Sequence, residues 1–315
     1  MKKLLLLPLF IIFLLSSSTL AFADATTISI NPPVLEILIE PNKSLTQTFT
    51  LEHGSSENLM GTLELHRFTP ADNLGHINLE REIANPSSLP LTITSSTHPL
   101  NQPFPLNGQS TQATFNIEAA SSDKTEDVYL ALVFKTTSAD PSTLSSSAVP
   151  GITSLLLITI TPSGSLPTNL DIMDLNLPVL HDSWKELTLT GQIKNNTNIM
   201  IRPKGSLEII SPYGKSLTNI PLAQNLILGN SQRAIFAETE TDSAPLKWSP
   251  TWKNLGPHRF HLMITTQGGT LLSETEKVVW IMPIRLIIFL ILVFLLLTTI
   301  LLAFKRKNHQ SPIDS

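Results

Sequence analysis

The sequence predicts an all-β exported protein: two Ig-like antiparallel β-sandwich domains in series, an N-terminal signal peptide and one C-terminal transmembrane helix. Three observations carry this. Short alternating runs recur at roughly 8–12-residue spacing between turn formers, with few helical periods. An unbroken apolar run, Leu286–Phe304, is followed directly by Lys305, Arg306 and Lys307. At the other end, Met1–Ala23 combines a basic start, a short apolar core and a small-x-small ending.

In Met1–Ala23 the basic pair is Lys2-Lys3, the apolar core runs from Leu4 to Leu15, and Ala21-Phe22-Ala23 is the cleavage signal, with cleavage expected before Asp24. The core is shorter than the ~20 residues a span needs. The first domain is expected over 24–162. Thr27–Ile30 meets Asn31-Pro32-Pro33, and in Leu35–Glu40 the residues Leu35, Ile37 and Ile39 alternate with Glu36 and Glu40. Strict alternation predicts one buried face. Leu45–Glu52 and Thr62–Phe68 follow. The stretch Thr69–Gln112, rich in Pro, Ser, Asn and His, predicts loops around one short strand at Leu91–Ile93.

Alternation returns at Ala113–Glu118, while Val128–Phe134 and Ile152–Ile160 are apolar on both faces, as central strands are. Between them, Thr136–Pro150 has almost nothing to bury and predicts a long mobile tip. Residues 163–168 read as the linker. The second domain, 169–282, predicts strands at Trp184–Ile193, Ser206–Ile210, Ser216–Pro221 and Arg233–Glu240, and a hairpin of Arg259–Thr265 with Leu271–Ile281 through Gln267-Gly268-Gly269.

At about 1.5 Å per residue, Leu286–Phe304 reaches roughly 28 Å, close to the hydrocarbon thickness of a bilayer. The basic cluster behind it predicts a cytoplasmic tail, 305–315, and an exported bulk. Trp280 and Arg285 on one side, and Lys305, Arg306 and Lys307 on the other, are the expected membrane-interface residues. The helix contains no charged residue and reads as an anchor in the cell membrane.

Between the two apolar ends the chain holds 16 Lys+Arg against 24 Asp+Glu, a net charge of about −8. That argues against nucleic acid as a partner. The chain has no cysteine, which excludes disulfides, thiol catalysis and cysteine zinc sites. It points to a bacterial exported protein. Two glycosylation sequons, Asn42-Lys43-Ser44 and Asn195-Asn196-Thr197, would matter in a eukaryotic host.

No pattern predicts catalysis, a metal or a cofactor. There is no Gly-x-Ser-x-Gly elbow, and His53-Gly54-Ser55-Ser56 reads as a polar loop. Strand alternation sends His258 and His261 to opposite faces. Glu238, Glu240 and Asp242 share a period of two and read as a solvated face rather than a calcium loop. The stretch Trp248-Ser249-Pro250-Thr251-Trp252 offers two aromatic rings, Trp248 and Trp252, to a ligand, or else closes the end of the sandwich.

The chain resembles the WxL-interacting surface proteins of Gram-positive bacteria and their relatives. In the first domain the likeness rests on Ile30-Asn31-Pro32-Pro33, on Ile39–Ser44, and on Val128–Phe134 with Gly151–Ile160. In the second it rests on Gly191–Asn195, Pro203-Lys204-Gly205, Asn225–Arg233, and Gly256 before Arg259–Ile264. Asn42 and Gly229 depart from it, standing where Gly and Pro are usual. The resemblance implies a peptidoglycan-binding-type domain followed by a host-binding-type domain, surface attachment, and no catalytic residues. The expected function is non-enzymatic binding of a cell-wall polymer, a partner surface protein or a host molecule. An alternative is a membrane-tethered assembly factor, resembling periplasmic pilus chaperones, that pairs with clients by strand addition at Leu35–Glu40 or Val128–Phe134. A glycan hydrolase is the remote third reading; no carboxylate pair suggests it.

Overall fold

A computed structural model describes residues 27–54, 59–83, 89–106, 108–138, 151–239 and 243–308. The signal-peptide reading of Met1–Ala23, Ser55 and Ser56, most of the 136–150 tip, Glu240, Asp242 and the end of the tail lie outside these residues.

The first domain has ten strands: β1 (Ile28–Asn31), β2 (Val34–Ile39), β3 (Ser44–His53), β4 (Leu59–Pro70), β5 (Ile77–Glu82), β6 (Leu91–Ser95), β7 (Phe104–Pro105), β8 (Ser110–Ala119), β9 (Glu126–Ser138) and β10 (Gly151–Ile160). They form two sheets. Sheet I is ordered β1-β3-β8-β6; sheet II is ordered β2-β10-β9-β4-β5, with β7 also on β4. The chain crosses from sheet I to sheet II at Asn31-Pro32-Pro33, where β1 ends and β2 begins; the Asn31–Pro32 bond is cis. Alternate residues of both sheets meet in one core, with Phe49 and Phe115 edge to face at 5.8 Å.

The predicted irregular stretch Thr69–Gln112 is more ordered than its composition suggests. β4 continues to Pro70 and β5 pairs with it at the sheet edge, where Leu79 stays exposed. An edge strand with both faces partly wet carries no clear alternation, which is why β5 reads as loop.

The second domain contains β11 (Leu170–Asn176), β12 (Leu180–Asp182), β13 (Leu187–Asn195), β14 (Lys204–Ile210), β15 (Ser216–Pro221), β16 (Gln232–Ala234), β17 (Ala237–Glu238), β18 (Ser243–Ala244), β19 (Leu246–Trp248), β20 (Gly256–Thr265) and β21 (Leu271–Met282). One sheet is β11-β13-β16, with β19 also on β13; the facing one is β12-β21-β20-β14-β15; β17 and β18 form a separate ribbon. The protein is thus two Ig-like β-sandwiches in series. The strand expected from Trp184 starts only at Leu187, because Asp182 turns the chain by accepting the Trp184 N–H.

After Pro283 the chain enters α1 (Ile284–Asn308), which starts two residues before the predicted run and carries Lys305, Arg306 and Lys307 in its last turns. It is long and apolar enough to cross a membrane, and none of its apolar stretch is buried within the protein.

Candidate functional site

Three things converge at one side of the first domain: the free edge of sheet II, a cleft beside it, and the contact with the second domain.

The edge follows from strand parity. The Leu155 N–H donates to Pro33 O, and the Thr161 N–H to Ile39 O, both at 3.0 Å. Odd-numbered residues of β2 therefore aim their backbone groups at β10, and Val34, Glu36 and Leu38 aim theirs outward. Among the described residues no backbone group pairs with those three on that side. The same alternation turns Ile37 and Ile39 into the core and leaves Val34 44% and Leu38 56% exposed. β2 covers only Leu155–Ile160, so Gly151–Ser154 of β10 extends past it, and Thr153 shares the outward parity of Leu155. The other expected donor edge, Val128–Phe134, is corrected: it lies in β9, which is central, with β10 on one side and β4 on the other.

Beside β2 lies a cleft of about 350 Å³ between the two domains. Leu38, Leu166, Met200, Ile201 and Leu226 make its walls largely apolar. Its polar corner is Arg202, which pairs with the Glu36 carboxylate and donates to Gln224 O at 2.8 Å. Gln267 donates to Arg202 O at 3.0 Å, which fixes that corner to the β20–β21 turn. Apolar walls with a few convergent polar groups suit an extended peptide or a small apolar side chain.

The second domain packs on the outer face of sheet II. Phe68, Ala131 and Leu157 are buried there, with Tyr129, Leu155, Met200, Leu226 and Leu228 packed around them. At the centre, the Asp127 carboxylate accepts from Tyr129 Oη at 2.6 Å, Thr159 Oγ1 at 2.7 Å and the Met200 N–H at 2.5 Å. Tyr129 Oη in turn accepts from the Gly229 N–H at 2.8 Å. Burial pushes the Asp127 carboxyl above its ordinary 3.8, although these bonds pull it down. Burial and the neighbouring Asp127 charge push the Tyr129 phenol well above its usual range, so it stays a donor.

The loops that bring Met200 and Gly229 to this network are shaped by Asn195. Its side-chain amide donates to Ile199 O at 2.7 Å and Leu228 O at 3.2 Å, and its carbonyl accepts from the Thr197 hydroxyl at 2.8 Å. It is fully buried, so the Asn195-Asn196-Thr197 sequon has no acceptor nitrogen to offer in the folded protein. A second contact adds the β4–β5 turn: Asn73 O accepts the Ala234 N–H at 2.8 Å.

The tryptophans expected to contact ligand do not act as a pair. Trp248 is packed against the second core, edge to face with Phe260 at 5.6 Å, whereas Trp252 is 69% exposed with Lys253 over its ring. His258 is buried and His261 half-buried on the other face, bonded to Glu274. Trp280 is exposed on β21, and Arg285 at the start of α1 pairs with the buried Asp182 at 3.2 Å.

No protein-family model and no curated protein matches the chain in sequence. Among solved structures it is similar to the chaperone–tip adhesin complex of CFA/I fimbriae: 12% identity over 80% of this chain and 98% of that chain, TM-score 0.42. It is also similar to the class 5 fimbriae chaperone CfaA, at 11% identity over 80% of this chain and 99% of that chain, TM-score 0.40. The E. coli chaperone DraB is 11% identical over 80% of this chain and 96% of that chain, with a TM-score of 0.34.

Proposed function

We propose that the protein is a non-enzymatic, membrane-tethered factor that takes up an extended segment of a partner surface protein by strand addition at the free edge of sheet II. The observation that carries this is the row Val34, Glu36 and Leu38, whose outward N–H and C=O groups meet no backbone among the described residues, beside an apolar interdomain cleft. Main-chain pairing would supply affinity, and the cleft would accept a side chain from the added strand. The exported orientation, the span through α1 and the resemblance to WxL-interacting surface proteins belong to the same reading. A strand edge pairs with polypeptide backbone, so this reading takes a protein of the cell surface, rather than a wall polymer, as the partner.

Outward parity makes the test clean. Leu38→Pro and Thr153→Pro each delete one outward N–H and leave the bonds to the neighbouring strand in place. In cells, a photoreactive residue at position 36 should crosslink to a surface protein. That crosslink should fall at least tenfold in one of the two proline variants while the full chain still folds. Undiminished crosslinking in both, or none at all in the parent, overturns the reading.

A further inference from the structure

The end of the second domain that meets α1 carries an aromatic and basic face. β21 ends at Met282 and runs through Pro283 into the helix, so segments near Met282 share its level. Asp182 pairs with Met282, which puts the turn after β12, with Trp184 and Lys185, at that level. Gly256 pairs with Ile281, which puts the preceding loop, with Trp252, Lys253 and Leu255, there as well. A Cβ on Gly256 would lie 3.3 Å from Pro212, so the β14–β15 turn with Tyr213 and Lys215 belongs to the same end.

The exposure is pronounced. Tyr213 is 95%, Trp252 69%, Trp184 53% and Trp280 44% exposed. The whole chain has four Trp and two Tyr, so most of its amphipathic rings stand in water at one end of one domain. Val179 and Leu180 add aliphatic surface beside Trp280. Among the described residues, the acidic groups of this end are engaged, Asp182 by Arg285 and Glu186 by Lys247. Lys185, Lys215 and Lys253 are exposed.

We infer that this face docks on the outer surface of the bilayer that α1 crosses, with Trp184, Tyr213, Trp252 and Trp280 in the headgroup layer and the three lysines on lipid phosphates. Indole and phenol rings favour that layer because they offer an apolar body and a polar tip. Each lysine near an anionic surface adds attraction that salt weakens. Continuity with α1 identifies the occupant: Pro283 alone separates β21 from the helix, so a membrane around α1 already touches this end. The docking fixes the tilt of the second domain, and through the interdomain contact it holds the β2 edge away from the membrane. Trp252 is thereby a lipid anchor and not a ligand platform.

The inference rests on α1 spanning the membrane, and one experiment separates the two. The absence of cysteine permits single spin labels in the full chain at Lys215→Cys, Leu255→Cys, Gly268→Cys and Leu295→Cys, in bilayers containing phosphatidylglycerol. Oxygen and nickel accessibility should place labels 215 and 255 at headgroup depth, 268 in water and 295 in the hydrocarbon. Labels 215 and 255 as water-exposed as 268, with 295 in the hydrocarbon, overturn the docking alone. An aqueous 295 overturns the span and the docking with it.

Discussion

Asp127→Ala is expected to lower the stability of the full chain by about 4 kcal/mol, because three donors lose their acceptor at once and each buried orphan costs about 1–3 kcal/mol. Tyr129 Oη, Thr159 Oγ1 and the Met200 N–H all converge on this carboxylate. Thr159 and Tyr129 belong to the first domain and Met200 to the second, so the loss also loosens the joint. Chemical denaturation should show the shift, and small-angle scattering a broader range of interdomain angles. An unchanged midpoint would show that Asp127 does not hold the domains.

The neighbouring variant Asp127→Asn separates charge from shape. Burial raises the native carboxyl above its ordinary 3.8, so the folded protein binds this proton more tightly than the unfolded chain does. The stability it contributes is present below that ordinary value and is lost as pH rises through the folded one. Asn stays neutral throughout. Its stability relative to the parent should therefore rise as pH climbs from the carboxyl's ordinary value through the raised folded one.

The second large effect is expected at Gly229. A Cβ there would lie 2.4 Å from Asn198 O and 2.5 Å from Asn198 C, so backbone must move. Gly229→Ala should cost about 3 kcal/mol, the upper range for overpacking a tight site. Gly229→Pro should cost more, since it also removes the N–H that Tyr129 accepts. Thermal or urea denaturation of both variants checks the order; equal stability of parent and Gly229→Pro would contradict it.

Gly229 also shows what was legible in the sequence. It stands at a close approach between two loops, 196–200 and 225–231, which no pattern within either loop announces. Asn42 is the simpler case: it takes a φ of 60°, which Asn tolerates nearly as Gly does. The two-faced apolarity of Val128–Phe134 and Ile152–Ile160 is readable as central strand. Its second cause is not, because the outer face of sheet II is covered by Met200, Leu226 and Leu228 from the other domain.

The candidate site was half visible. Leu35–Glu40 announces one buried face by alternation, yet which backbone groups face outward depends on its pairing with β10, more than 110 residues later. Likewise Trp248 and Trp252 share a loop in sequence, and β19 carries the first ring into the core while the second stays in solvent. Arg202, Gln224 and Gln267 carry no motif; only folding brings them to the cleft.

Hydrogen exchange on the full chain, free and with its crosslinked surface-protein partner, tests strand addition most directly. The account predicts that the amides of Val34, Glu36 and Leu38, or that of Thr153, exchange at least tenfold more slowly in the complex. Partner binding that leaves all four amides unchanged would contradict it.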